Sequence, residues 1–291
     1  MLKLLKRVNT PMPEITATKV PVFFIRPSRG LVRINLRELW AYRDLLAILT
    51  WRDIKVRYKQ TALGVAWAVL QPVLTMVVLS VFFGRLAKVP SDGIPYPIFA
   101  YCALLPWQLF AHAINESGNS LVANESLITK VYFPRLIIPL AAVLGGLADF
   151  AVAFVVLLGM MLWCGIVPGA VVALLPLFVL FALATALAIG LWLSALNVEY
   201  RDVRYTLPFI TQFWLFVTPV AYPSSLVPER FRVFYGLNPM AGVVESFRWA
   251  LLAKGQPDWP LMLASVVAVS VLLAGGLMYF RRMEKTFADV V

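Results

Sequence analysis

The sequence predicts an all-α polytopic membrane protein. It expects six transmembrane helices, an N-terminal amphipathic interface helix and a pair of short outer re-entrant helices. Three observations predict this. First, residues 136–198 hold one charged residue, Asp149, and are otherwise almost entirely apolar. At about 1.5 Å rise per helical residue, a bilayer core of about 30 Å takes roughly 20 residues to cross. The stretch therefore suffices for two crossings, with Pro168-Gly169 as a turn near its middle. Second, the 291 residues are 61% hydrophobic and only 14% charged, whereas soluble domains carry about 25% charged residues. Third, 13 of the 26 Lys and Arg precede Gln60, ahead of the first apolar run. That is the positive-inside signature of a cytoplasmic N-terminus.

Taken in order, residues 1–30 have scattered prolines and no apolar period, and read as a loosely ordered tail. Residues 1–35 lack a continuous apolar h-region, so no cleavable signal is expected. In 36–60, Leu39, Leu46, Leu49 and Ile54, with Trp40 and Trp51, recur at roughly helical spacing among Arg37, Arg43, Arg52, Lys55, Arg57 and Lys59. The pattern fits a cationic helix lying on the inner leaflet with its tryptophans at headgroup depth. A cytosolic helix packed on another subunit is the alternative.

Apolar runs follow at 61–84, 93–115, 136–164 and 170–196. A shorter one at 206–222 contains Pro208 and Pro219, and the last, 259–280, is stopped by Arg281-Arg282. Six crossings with both termini cytoplasmic divide the chain into three parts. These are a cytoplasmic tail and interface helix at 1–60, a transmembrane domain at 61–282 and a cytoplasmic tail at 283–291. On this topology 20 of the Lys and Arg lie inside and 6 outside, and inverting it would reverse that ratio.

The outer segment 223–255 is too apolar for a free loop and too broken to span. Pro228 can open one short helix, and Asn238-Pro239 is an N-cap followed by a first-turn proline for a second. Two short helices dipping into the outer leaflet are expected, since broken backbone at membrane depth must be buried in protein or line a cavity. They read as a structural plug or as the wall or gate of a conduit.

Several function classes are excluded by composition. The net charge of +11 is gathered at the membrane flanks, and no basic groove with base-reading context points to nucleic acid. Cys102 and Cys164 fall in different apolar segments and His112 is the only histidine, so a zinc, haem or iron–sulfur site is not expected. These three residues read as packing. The acids are scattered, without the clustered carboxylates a membrane glycosyl or phosphoglycosyl transferase would need. Glu199 and Asp202 lie beside Arg201 and Arg204 in what reads as a salt-bridged loop.

LGVAWAVLQP (63–72), NESLITKVYFPR (124–135), NVEYRDVRY (197–205), LNPM (237–240) and the tail FRRMEKTFADVV (280–291) occur in this order. Together they resemble the type-2 ABC exporter permeases that move polysaccharides and polyol phosphates, in particular the O-antigen and capsule export permeases. The resemblance covers 36–291. It implies a transport subunit rather than an enzyme: a permease homodimer in the inner membrane, bound to two copies of a separate ATPase that holds ATP and Mg. The chain fits that partition, having no G-x-x-x-x-G-K-[ST] phosphate loop. The implied cargo is an undecaprenyl-linked polysaccharide, most simply an O-antigen. Teichoic acid or capsule export, and drug or small-lipid export within the same superfamily, are the alternatives. By the same resemblance Asn124, Glu125, Ser126, Leu127, Ile128, Thr129 and Lys130 would form the coupling segment seated in the ATPase. The outer gate would include Val227, Pro228, Phe231, Phe234, Tyr235, Asn238 and Pro239.

Asp149 is the only carboxylate inside a predicted span, where charge is costly and commonly functional. It reads as a contact in a wet cavity or as a hydrogen bond between helices, with Gly145-Gly146 nearby allowing close approach. Aromatic residues crowd two spans: Tyr96, Phe99, Tyr101, Trp107 and Phe110 in one, Phe213 and Trp214 in another. As a group they suit a sugar conduit, because aromatic faces match the apolar C–H patches of sugar rings. Interfacial belts, lipid contact or core packing are the alternatives for any one of them.

Overall fold

The computed structural model describes residues 36–59, 64–252, 257–284 and 287. The tail expected at 1–30 and the last four residues lie outside them. Among the described residues all regular structure is helical. A short α1 (Leu36–Ala41) leads into α2 (Arg43–Lys59), then α3 (Gly64–Leu79) and α4 (Tyr96–Ala123). Next come α5 (Glu125–Lys130), α6 (Ile137–Trp163), α7 (Leu175–Glu199) and α8 (Val203–Val217). The chain closes with α9 (Glu229–Tyr235), α10 (Pro239–Leu252) and α11 (Trp259–Met283).

Among the described residues, five helical stretches are long and apolar enough to cross a membrane: Ala66–Leu86, Tyr96–Ala123, Ile137–Trp163, Ala170–Glu199 and Trp259–Met283. The run at 206–222 gives only the 15-residue α8, about 22 Å at 1.5 Å per residue against a core of about 30 Å. Proline sets that limit. Thr218 precedes Pro219 and is extended, with φ −87° and ψ 143°, as a residue before proline must be to avoid the ring. The helix of the run at 93–115 is longer than the run itself. It continues past Glu116 to Ala123; Asn115, Asn119 and Asn124 each donate to the carbonyl four residues back, and the half-exposed Glu116 carboxylate lies near Arg57. The first span ends in π-helix over Ser80–Leu86.

The core is organised around α4, buried almost continuously from Ile98 to Leu105. It packs on α6 and α7 with small residues at the seams. Any Cβ at Gly190 of α7 would collide with the Ser117 side chain of α4, so only glycine allows this approach. A second apolar cluster ties one end of the bundle together. In it Leu49 of α2, Ile128 of α5, Phe133, Leu136 and Ile137, Phe280 of α11 and Phe287 are all buried.

Two anchors fix α2. Leu49 sits in that cluster beside the start of α6, while Arg57 pairs with Asp149, about 18 Å further along α6 at 1.5 Å per residue. Between these anchors α2 packs along α6. Trp40 of α1 and Ile48, Trp51 and Val56 of α2 are exposed.

Candidate functional site

A cavity of about 840 Å³ opens between the end of α2, α3, α4 and α6, with Leu215 of α8 at its edge. Pro72 inside α3 and Pro106 inside α4 remove one helical N–H each beside it. Its walls combine two indoles, Trp67 and Trp107, with the amides of Gln71, Gln108 and Asn115.

One side of the cavity is a polar cluster drawn from three helices. Arg57 Nη1 donates to Asp149 Oδ2 at 2.5 Å, and Arg57 Nη2 lies 2.6 Å from His112 Nε2. Tyr58 donates its hydroxyl proton to Asp149 Oδ1, and Glu116 Oε1 is 3.9 Å from Arg57. A guanidinium can only donate, so His112 Nε2 must be the lone-pair nitrogen and the imidazole is neutral with its proton on Nδ1. The Tyr58 hydroxyl is pushed up to about 12, first by burial and then by its bond to the carboxylate, so it stays a donor. Gly146 lets α6 come this near α4, because a Cβ there would lie 3.1 Å from both His112 and Leu109. Gly145 plays no such part: a Cβ at that position meets nothing within 4 Å.

Asp149 is thus neither isolated nor bonded only to a neighbouring span. His112, read as packing, is one of its partners' ligands. The signal that could have joined them is that a lone intramembrane acid requires a counter-charge, and Arg57 lies close to the first span. Trp67 and Gln71 likewise stand at the cavity, inside the LGVAWAVLQP stretch, where their polar and aromatic character marks them.

Of the seven aromatics singled out, the structure brings three into one ladder. Trp107 lines the cavity and lies 5.5 Å from Phe110, which meets Trp214 edge-on at 5.3 Å. Trp214 Nε1 then donates to Asn238 Oδ1 at 2.9 Å, at the start of α10. The ladder runs from the cavity to Asn238, the residue before α10. Phe99 and Tyr101 are fully buried elsewhere in α4. Phe99 sits 3.8 Å beneath the Arg248 guanidinium, and Tyr101 donates to the Ala153 carbonyl. Tyr96 donates to the carbonyl of Ala221 at 2.6 Å. Phe213 faces outward from α8, 59% exposed, with its ring tilted against Phe209 at 4.6 Å.

The segment that carries α9 and α10 is held by side chains. Asn238 Nδ2 bonds Thr218 Oγ1, and its Oδ1 also accepts from Met240 N, capping α10 with Pro239 at the first position. Tyr235 donates to the Val217 carbonyl and meets the Tyr222 hydroxyl at 2.8 Å. Arg248 donates to the carbonyls of Val220 and Tyr222. Pro228 precedes α9; Phe231 and Phe234 are exposed, and Val227 is half-buried.

At the other end of the bundle, Asn124 closes α4 and opens α5. Ile128 is buried under α5, Leu127 is half-buried, and Glu125, Ser126, Thr129 and Lys130 face outward. The short helix thus presents a polar, mixed-charge surface.

The model of the ABC-2 type transporter membrane family matches residues 44–252, taking in the cavity, α5, α9 and α10. The chain belongs to this family. It is similar to the O-antigen export system permease protein RfbA of Myxococcus xanthus, 32% identical over 88% of this chain and 98% of that protein. An RfbA of Klebsiella pneumoniae is 29% identical over 89% of this chain and 98% of its own length. The polysialic acid transport protein KpsM of Escherichia coli is 26% identical over 69% of this chain and 78% of its own length. As an ABC-2 family member this chain is a transport component spanning the membrane several times.

Proposed function

We propose that this chain is the permease of an ATP-driven exporter of a lipid-linked polysaccharide, most simply an O-antigen on an undecaprenyl carrier, in the inner membrane. The observation that carries the reading is the match to the Myxococcus RfbA over 98% of that protein's length. The cavity supports it chemically. Sugar rings offer apolar C–H faces and a rim of hydroxyls; indoles meet the first and amides, carboxylate and guanidinium the second. Of the Trp107–Phe110–Trp214 ladder only Trp107 lines the cavity; Phe110 is fully buried behind it and links it through packing to Trp214.

In this reading the permease works as a homodimer with two ATPase subunits, which bind ATP and Mg; the chain itself is no enzyme. Residues 124–130 seat in the ATPase, an assignment supported by the outward polar face of α5. Both termini are cytoplasmic, and α1 with the first half of α2 forms the interface helix at the inner membrane surface. The sixth crossing is α8, extended by the bonded segment 218–222. α9 and α10 re-enter from the outside as the gate. Asp149 serves as the counter-charge that organises the cavity wall.

Reconstitution of the permease with its ATPase in vesicles carrying an undecaprenyl-linked glycan tests the reading. ATP-dependent appearance of glycan on the opposite leaflet is expected. ATP hydrolysis that responds to lipophilic drugs or short lipids and ignores the glycan would overturn it.

A further inference from the structure

Among the described residues, Arg57, Glu116 and Asp149 are the charged side chains that line the cavity. His112 is neutral, because its Nε2 faces a guanidinium that can only donate. The wall therefore carries one cation against two carboxylates. We propose that the cavity takes uncharged sugar units and turns away sugars that bear carboxylate or phosphate groups. The proposal rests on the reading of this chain as a polysaccharide permease, and it names the class of glycan.

The one cation is already committed. Arg57 bonds Asp149 Oδ2 and His112, and Glu116 Oε1 stands 3.9 Å from it. An entering anion would have to displace a partner, and unpairing a carboxylate only 29% exposed is strongly disfavoured. The rest of the lining agrees. Gln71, Gln108 and Asn115 bring amides, which both donate and accept, as a sugar hydroxyl does. A carboxylate or phosphate can use only donors. The indoles of Trp67 and Trp107 add ring faces whose negative quadrupole suits the C–H flank of a sugar and repels an anion. Nearby basic residues do not offset this. Lys55 and Lys59 stand two positions either side of Arg57, which at about 3.6 residues per turn is the far side of α2, and both are exposed. Their attraction for the phosphates of a lipid carrier acts outside the cavity.

Two ligands of one shape isolate the charge: a trisaccharide ending in sialic acid, and the same trisaccharide with that carboxylate amidated. In the full complex with its ATPase, on a Cys164→Ser background, Ala68→Cys places a thiol at the cavity wall; Cys102 is buried. The amidated sugar is expected to slow labelling by an uncharged maleimide. The acid should need at least about threefold more for equal protection, the least that a unit of like charge costs across a few ångströms of water. Raising the salt should narrow that gap. Glu116→Gln, at a side chain 54% exposed, should close most of it. Equal protection by both sugars, protection by neither, or a gap untouched by salt and by Glu116→Gln overturns the proposal. If Glu116→Gln fails to assemble, the salt response of the parent decides alone. Transport of lipid-linked polymers in vesicles is scored separately. Export of neutral and sialylated polymers at equal rates overturns the charge selection and keeps the polysaccharide reading. Export of neither, with hydrolysis that answers to drugs, rejects that reading, and the labelling still decides what the cavity binds.

Discussion

The indole of Trp214 donates to the side-chain oxygen of Asn238 at 2.9 Å, tying the last turn of α8 to the residue that caps α10. That same oxygen caps α10 by accepting from Met240 N, and the amide nitrogen bonds Thr218 Oγ1. One side chain thus closes the gap that Pro219 opens in the chain. Asn238→Ala should lower stability by about 1–3 kcal/mol, since it removes a cap and strands a buried indole N–H. Asn238→Asp keeps the acceptor and should recover roughly half. Melting midpoints in detergent would decide it; equal loss in both variants would mean the Thr218 contact dominates.

Gly190→Ala should destabilise by about 1–3 kcal/mol through overpacking against α4. The Ser117 side chain stands where the new methyl would go. In a Ser117→Gly background the same substitution should cost clearly less, and an unchanged cost would show that the helices separate freely at this point.

Topology can be read by thiol labelling. Ser126 is exposed, whereas the neighbouring Ile128 is buried and would report burial instead of side. Ser126→Cys should react with an impermeant maleimide only from the cytoplasmic side, and Leu226→Cys, 55% exposed, only from outside. The reverse pattern would invert the proposed orientation.

The outward face of α5 should bind the ATPase. Ser126→Arg and Thr129→Arg change exposed positions and should leave the permease folded. They should weaken ATPase copurification by about 2 kcal/mol if these residues lie centrally in the interface. Undiminished copurification of both variants would move the interface elsewhere.

The two aromatic groups should behave differently. Trp107 is 4% exposed and lines the cavity, so Trp107→Ala should cost about 3–5 kcal/mol and reduce polymer export. Phe213 is on the outer face of α8, and Phe213→Ala should leave the melting midpoint of the dissociated subunit within about 0.5 kcal/mol of wild type. A large loss at Phe213 would show that its face is covered within the single chain.

Much of this was legible in the sequence by itself. Runs of 20 or more apolar residues have few alternatives to a membrane helix, because an unbonded backbone is too costly in lipid. The proline punctuation that opens α9 and α10 acts over a few residues and is equally local. What only the tertiary structure decided is who meets whom. Arg57 and Asp149 are 92 positions apart, and nothing in either segment's period aims one at the other. The same holds for Trp214 and Asn238 across the turn, and for the Ser117 side chain that requires Gly190. Helix formation is dictated by neighbours in the chain, whereas pairing is dictated by the bundle. A charge inside it must find its counter-charge, an indole N–H its acceptor and a serine its space, wherever packing has brought them.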